Sequence, residues 1–287
     1  MVSEQYRAEW ERWHRDRVDD FNAPHSWLSL SDQVWLKEGQ PTVIDGIPGE
    51  WLLSDGDVVY LPDESGDGIE VNHERAFGPT EIPLGYNEYS VEGSSVPVFY
   101  HDIELEAVER TNDRGERIVS IRVHDPRKAA EQQIDDIETY PLDDKWIVSA
   151  SFVPDSDGRT AYPTVEKGVR ESFDELGTVT VTIDGVEYPL HVWGYDTPEG
   201  TSAYIHLRDA TSGKTTYGAG RYVRKPLKDL IEDRTLDLNR LVFFPCAVTS
   251  YVTCPLPPVG NTIPVEIAAG EKLPPISVTE RVHTYEQ

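Results

Sequence analysis

Two stretches of the sequence alternate apolar and polar residues on either side of a tight-turn signal, and this pattern constrains the fold more than any other feature. In the clearer one, residues 178–193 read TVTVTI, Asp184-Gly185, VEYPLHVW. Asp-Gly supplies the positive φ angles that a two-residue hairpin turn requires. In the other, residues 103–123 place IELEAVER and RIVSIRV around the turn sequence Asn-Asp-Arg-Gly. Both patterns predict antiparallel β-hairpins.

Strand patterns continue beyond these hairpins, and helical patterns are few. We expect further strands at residues 203–208, 215–223, 235–238 and 263–267. An amphipathic N-terminal helix that ends before Pro24 is also predicted. Five residues recur there at helical spacing: Tyr6, Trp10, Trp13, Arg17 and Phe21. That face either docks on the rest of the chain or binds a partner protein.

A second helical signal lies at Asp125-Pro126, where Asp can cap the helix and Pro suits its first position. We place the boundary between two β units there. The predicted fold is mostly β, with two β-sandwich-like or barrel-like units. The predicted division is a helix over residues 1–25, an N-terminal β unit over 26–125 and a C-terminal β unit over 126–287.

The charge of the chain restricts its partners. Asp and Glu number 52 against 26 Lys and Arg, a formal net charge of −26, and the acidic residues are spread along the sequence. Such a charge repels nucleic acids and anionic membranes, and screening by concentrated salt relieves its self-repulsion. Arg supplies most of the cations, because only 8 are Lys. We therefore expect a halophilic protein that binds neither nucleic acid nor membrane, with an acidic mesophilic protein as the alternative.

The sequence begins MVSEQYRAEWERW, without the apolar run of a secretory signal, and no stretch is long enough to span a bilayer. These features predict a cytoplasmic location.

The last third of the chain contains four blocks rich in polar and small residues: DATSGKTTYGAGRY (209–222), LDLNR (236–240), PCAVTSYVTCPLPPVGN (245–261) and AAGEK (268–272). In this order and spacing they resemble the family catalogued as domain of unknown function 1684. SWLSL (26–30), VWLKEG (34–39) and IRVHDP (121–126) also resemble that family. The resemblance implies no activity. The N-terminal half is distantly similar to forkhead-associated β-sandwiches, without their phosphothreonine-binding pattern.

These blocks hold the side chains expected of a polar pocket. Arg221 and Arg240 can grip a carboxylate or phosphate with their bidentate forks, and Asp209 or Asp237 can serve as a general base. We predict these ligand-binding residues: Arg122, Asp125, Thr211, Ser212, Tyr217, Arg221, Asn239, Arg240, Glu271 and Lys272. The same residues are equally suited to buried ion pairs and turns. His206 stands where the family has an apolar residue, so we discount it as a base.

Cys246 and Cys254 complete the candidate catalytic residues, with Asp209 and Asp237. The two cysteines are either buried inert thiols, a disulfide or metal pair, or a source of a nucleophile. No histidine stands near them in sequence, so no metal site is predicted. No cofactor is predicted either, since the sequence GAGRY lacks the third glycine of a dinucleotide loop and no phosphate-binding P-loop appears.

The function expected from the sequence is recognition of a small polar or anionic molecule in a pocket of the C-terminal β unit. Hydrolysis of the bound molecule is a further function that the same pocket could perform. The alternative is a noncatalytic protein-interaction module built on the forkhead-associated-like sandwich.

Overall fold

The computed structural model describes residues 2–64, 68–84, 95–155 and 158–276, together with Val278 and Tyr285. Its helices are α1 (Glu4–Asn22), α2 (Pro126–Glu131) and α3 (Leu227–Glu232), with short 3-10 turns at Trp27–Ser29, Asp144–Trp146, Leu238–Arg240 and Pro245–Ala247. Seventeen strands lie within the described residues. They are β1 (Leu30–Trp35), β2 (Glu50–Ser54), β3 (Asp57–Leu61), β4 (Glu70–Val71), β5 (Glu74–Arg75), β6 (Thr80–Ile82), β7 (Val98–Tyr100), β8 (Ile103–Asn112), β9 (Arg117–His124), β10 (Ile147–Pro154), β11 (Arg159–Pro163), β12 (Val169–Ile183), β13 (Val186–Thr197), β14 (Gly200–Leu207), β15 (Arg221–Pro226), β16 (Thr235–Asp237) and β17 (Val242–Phe243).

The prediction of a mostly β fold with an N-terminal helix and few others is confirmed. Both predicted hairpins form. Strands β8 and β9 pair through the predicted turn, and β12 pairs with β13 through Asp184 and Gly185, whose φ angles are 49° and 80°. None of the helices in the described part of the chain has the length and apolar character needed to cross a membrane.

One large antiparallel sheet runs through both halves of the chain in the order β17-β15-β14-β13-β12-β8-β7-β4-β5. Strand β9 pairs with β8 and with β1, while β10 and β11 pair with β12. A small sheet, β2-β3-β6, lies apart from this path. This sheet contains strands from both sides of the expected boundary near Asp125, because β8 pairs with β12. The division into two β units stays a prediction.

The long strand β12 is shared by the two halves. Its first residues pair with β8, at Val169 with Asn112, and residues 174–183 pair with β13. A core that includes Trp51, Tyr60 and Ile121 fills the N-terminal half, and a second that includes Val181, Ile205 and Leu236 fills the C-terminal half. Between them lies a mainly aromatic cluster, and it is there that the cleft described below opens.

Helix α1 docks on the body of the protein. Ser3 caps it, and its buried face presents Trp10, His14, Val18 and Phe21. The indole N–H of Trp10 donates to the carbonyl of Asn239 at 3.0 Å. Of the two interpretations of this helix face, the structure therefore shows docking on its own chain. Asp125 caps α2 as expected, accepting from the backbone N–H of Arg127.

Two of the expected strands differ from the pattern. Residues 215–220 form turns rather than the first part of β15, because Gly220 adopts φ +93° and the chain bends there. Residues 263–267 bury Ile263 and Ile267 completely but form no strand ladder. Pro264 removes one of the backbone donors that a ladder needs.

Candidate functional site

Arg221 and Asp209, the predicted clamp and base, meet in the interior. Arg221 Nη2 lies 2.8 Å from Asp209 Oδ2, and both side chains are almost completely buried. The guanidinium also donates to the carbonyls of Ile267, Ala269 and Glu271, while the other Asp209 oxygen accepts from the backbone N–H of Thr211 at 2.6 Å. This pair therefore ties residues 267–271 to strand β15.

The neighbouring polar residues close turns around that pair. Thr211 Oγ1 lies 2.8 Å from Thr216 Oγ1, and Ser212 Oγ accepts from the backbone N–H of Asp209 at 3.1 Å. The Tyr217 hydroxyl donates to the carbonyl of Cys246 at 3.0 Å. The contacts give each of these residues a structural role, and their predicted ligand binding stays a prediction.

The remaining C-terminal residues of the predicted site anchor α1 and the chain near residue 140. Asp237 accepts from the Tyr6 hydroxyl at 2.7 Å, and Asn239 Nδ2 donates to the carbonyl of Asp143 at 3.1 Å. The guanidinium of Arg240 lies over the Trp13 ring at 4.9 Å.

The other two residues make similar anchoring contacts. Glu271 pairs with Arg17 and also accepts from the backbone N–H of Phe243, and Lys272 pairs with Glu138. The structure thus distributes the predicted residues over buried hydrogen-bond networks, two of which meet at Glu271, instead of gathering them around one cavity. Arg122 and Arg240 are the two predicted ligand-binding residues whose side chains line the cleft described next.

The cleft opens between strands β8–β9 on one side and β12–β15 on the other. It has two adjoining parts, which we call the inner chamber, of about 230 Å³, and the outer chamber, of about 710 Å³. Both are lined by Trp27, Glu106, Tyr222 and Arg224, so the four residues mark the junction. The 3-10 turn at Trp27–Ser29 places Trp27 there.

Strand register explains the wall of the inner chamber on the β12–β15 side. Trp193 on β13 is directly opposite Tyr204 on β14, which is opposite Arg224 on β15. Residues paired in this way lie on one face of a sheet, and so do residues two apart along a strand. Tyr195 and Tyr222 therefore extend the same wall.

The aromatic rings of this wall stack on one another. The Trp193 and Tyr204 rings lie 4.5 Å apart with an interplanar angle of 3°, and the Phe173 ring stacks on Trp193 at 4.0 Å. Tyr222 packs against Phe244 at 4.1 Å. The wall is thus a flat apolar surface whose phenol hydroxyls provide its polar edge.

Three guanidinium groups and two carboxylates set the charge of the inner chamber. Arg110 Nη2 lies 2.8 Å from Glu171 Oε1, and Arg122 Nη1 lies 3.2 Å from Glu106 Oε2. Arg224 has no carboxylate partner within the described part of the chain. Tyr204, whose pKa burial raises well above its usual value, hydrogen-bonds with Arg224. One positive charge is therefore left over, in a chain whose net charge is −26.

Two buried donors on the chamber walls lack partners. Trp193 is 1% exposed and Arg122 is 4% exposed, yet neither the Trp193 Nε1 nor the Arg122 Nε has a hydrogen-bond acceptor among the described residues. Buried N–H groups in folded proteins nearly always have an acceptor, from the protein, water or a ligand. Both residues line the inner chamber, although the two nitrogens themselves have almost no surface open to it.

The outer chamber brings histidines next to carboxylates. On β8 and β9, Glu104 is paired with His124 and Glu106 with Arg122. His124 Nε2 lies 3.7 Å from Glu106 Oε2, and His25 Nδ1 lies 3.7 Å from Glu104 Oε2. Burial raises the pKa of Glu104, and Glu106 adds to that effect, while the two histidines oppose it.

The cysteines are buried free thiols, and Cys254 lines the inner chamber. Burial first, and then the neighbouring Cys246, raises the pKa of Cys254 well above its usual value. A protonated thiol is a poor nucleophile, so the environment favours the inert alternative. In the described residues, no three His, Cys, Asp or Glu side chains are arranged to hold a metal ion.

The aromatic and basic residues of the cleft are not among those predicted from the sequence. Trp193 and Tyr195 stand two positions apart on β13, as Tyr222 and Arg224 do on β15, and Tyr204 lies on the strand between them. This alternation is a signal that could have found them. That period places them together on the face that does not carry the aliphatic core.

Fold and cleft together define a mostly β protein with an aromatic, arginine-lined cleft. The model of the family described as "Protein of unknown function (DUF1684)" matches residues 132–272. The predicted resemblance to this family is confirmed over those residues, and for the N-terminal blocks it stays a prediction. No curated protein matches the chain.

Among solved structures, the chain is similar to the solution NMR structure of the uncharacterized protein from gene locus rrnAC0354 of Haloarcula marismortui. The sequence identity is 22%, and the match covers 51% of this chain and 80% of that chain, with a TM-score of 0.39.

Proposed function

We propose that this protein binds a small molecule with an anionic group and a flat apolar body in the inner chamber of the cleft. This keeps the class of ligand expected from the sequence and moves its site to the face formed by β8–β9 and β12–β15. The observation that carries the proposal is Arg224, a guanidinium without a carboxylate partner in the described residues, which stands beside the stacked Trp193 and Tyr204 rings.

The chemistry of the walls selects the ligand. An aromatic ring would stack on the Trp193–Tyr204 surface, an arrangement worth about 0.5–1.5 kcal/mol beyond the area that it buries. A carboxylate would pair with Arg224, and a small shift of the Trp193 or Arg122 side chain would let a further oxygen accept from its unpartnered N–H. The chamber, at about 230 Å³, is slightly smaller than ordinary drug-sized sites, so it suits a single-ring ligand. A simple aromatic carboxylate such as benzoate meets these requirements.

Titration with benzoate tests the proposal. Binding would be measured by calorimetry and by thermal shift in molar potassium chloride, with inorganic phosphate and cyclohexanecarboxylate as comparison anions. Arg224→Ala should weaken benzoate binding about 10- to 150-fold, because a hydrogen bond to a charged group contributes about 1.5–3 kcal/mol. Arg12→Ala, which removes an exposed guanidinium from α1, is the matched control and should leave binding unchanged.

The outcomes separate the two functions expected from the sequence. A protein-interaction module would show no response to any of the three anions. Equal loss of binding in Arg12→Ala and Arg224→Ala would mean that only the general charge matters, and that result would also count against the cleft.

The composition supports a second part of the proposal, that the protein works in the cytoplasm at high salt. The net charge of −26 is offset mainly by Arg, whose guanidinium is less strongly hydrated than the Lys ammonium. The free energy of unfolding should rise steeply between 0.1 and about 1 M potassium chloride, because screening shortens the Debye length from about 10 to 3 Å. A flat salt response would contradict it.

A further inference from the structure

His124 stands in the outer chamber with one ring nitrogen held by the protein and the other facing the cleft. Its Nδ1 lies 2.9 Å from Ser29 Oγ and 3.4 Å from the carbonyl oxygen of Ser26. The Ser29 hydroxyl itself donates to that same carbonyl at 2.5 Å, so its oxygen is free to accept.

These contacts fix the tautomer of the neutral ring. A carbonyl oxygen only accepts, and Ser29 Oγ has already used its proton, so Nδ1 must carry the hydrogen. The lone pair is then on Nε2, which lies on the side of Glu106 at 3.7 Å. A ring nitrogen oriented in this way by a third group is the arrangement of a general base.

Ser29 is not the nucleophile that this grouping might suggest. Its side chain is 0% exposed, and its proton points at the Ser26 carbonyl and not at the ring. The oxygen that reacts must therefore come from water in the cleft. Ser29 is a positioning residue for His124.

The carboxylates near the ring suit the same task. Once Nε2 gains a proton, Glu106 can stabilise the imidazolium, and Arg122 holds Glu106 in place at 3.2 Å. Arg224 lines the same chamber and its charge is not taken by another side chain's carboxylate in the described residues. The base and a cation for a developing negative charge therefore share one water-accessible space.

We propose that His124 activates water to hydrolyse a carboxylic ester whose aromatic acyl group is held in the inner chamber. This inference rests on the proposed function, because the aromatic carboxylate that the chamber binds is then the product of the reaction. The unpartnered Trp193 and Arg122 donors of the chamber wall supply an independent indication of a ligand with oxygen acceptors.

The step balances without any other reactant. His124 Nε2 takes one proton from water while the water oxygen forms a bond to the ester carbonyl carbon. The carbonyl electron pair moves to its oxygen, which becomes an oxyanion facing Arg224. As that pair returns, the bond to the alkoxide breaks, and the leaving oxygen takes the proton from Nε2. Ester and water thus give a carboxylic acid, which ionises, and an alcohol.

Hydrolysis of para-nitrophenyl benzoate and methyl benzoate by the full chain tests the inference, beside the benzoate titration. His124→Asn should lower kcat about 10²- to 10⁴-fold, the usual contribution of a general base, while benzoate affinity stays within threefold. Ser29→Ala should lower kcat about tenfold or more at unchanged KM. Arg12→Ala is the control and should match the wild type.

The two proposals fail in different ways. If the wild type binds benzoate but hydrolyses neither ester, or if His124→Asn hydrolyses them as fast as the wild type, His124 is not the base and the binding proposal stands. If benzoate does not bind and neither ester reacts, both proposals fall. Should His124→Asn lower the unfolding midpoint so far that it cannot be assayed, Ser29→Ala decides, and an unchanged kcat in that variant overturns the inference.

Discussion

Replacing Arg221 with Ala distinguishes a structural role for the buried ion pair from the ligand-binding role expected from the sequence. The guanidinium is completely buried and donates to Asp209 and to three backbone carbonyls. Removing one partner of a buried ion pair costs about 3–5 kcal/mol, because the other charge is left without compensation. Each carbonyl left without a donor adds up to about 1 kcal/mol. The expected loss is about 3–8 kcal/mol, against a typical total of about 5–15 kcal/mol.

Urea unfolding followed by tryptophan fluorescence in molar potassium chloride measures this loss. Arg221→Ala should be largely unfolded before urea is added or have a much lower midpoint. Arg224→Ala, three positions along the same strand, should change the free energy of unfolding by less than about 0.5 kcal/mol. Combining Arg221→Met with Asp209→Asn should recover part of the loss, because both charges are then removed together while an amide oxygen can still accept from the Thr211 N–H.

The result that would refute this reasoning is a folded Arg221→Ala protein with a normal urea midpoint. If that protein had also lost its thermal shift with benzoate, Arg221 would be a ligand-binding residue as the sequence suggested, and the site would have to be moved from the β8–β9 and β12–β15 cleft to the C-terminal blocks.

Three further predictions follow from buried titratable groups. Burial lowers the pKa of His206 to about 3. The stability that the neutral ring contributes is therefore complete above about pH 6.5 and is lost by about 1.4 kcal/mol per pH unit below that. His206→Leu should flatten the fall in urea midpoint between pH 7 and 4.5, and an unchanged slope would contradict the assignment. Burial raises the pKa of Tyr222 to about 12. The stability that the neutral phenol contributes is therefore complete below about pH 10 and is lost as pH rises towards 12. Ultraviolet titration should show that Tyr222→Phe removes a late-ionising phenol, and loss of a phenol that titrates near pH 10 would be evidence against burial. Cys246 and Cys254 should react with a thiol reagent only after unfolding in urea, and rapid modification of the native protein would show that the chamber exposes a reactive thiolate.

The strands could be predicted because their signals are local. Asp184-Gly185 and the alternation beside it specify a turn and two faces, and the structure forms that hairpin. The expected strand at 263–267 did not form, although Ile263 and Ile267 are buried as an apolar strand pattern implies. Burial follows from side-chain type, whereas ladder pairing depends on a neighbouring edge that the segment itself does not encode.

The site was harder to predict because charge alone does not separate a pocket from a buried network. Arg221 and Arg224 lie three positions apart on β15 and are the same residue type, yet they face opposite sides of the sheet. Arg221 meets Asp209, which is close in sequence, whereas Arg224 faces residues of β8 and β9 from more than a hundred positions upstream. Only the tertiary arrangement of strands decides which of the two guanidinium groups reaches a cavity.

Strand β12 limits how far the cleft can change its width. It pairs with β8 at Val169 and Arg170 and with β13 over residues 174–183, so one strand runs through both walls of the cleft. Moving the walls apart would bend this strand or break the backbone hydrogen bonds of one of its two pairings. A ligand must therefore fit the spacing that the folded sheet already provides, and the sheet itself limits the size of the molecules that the cleft admits.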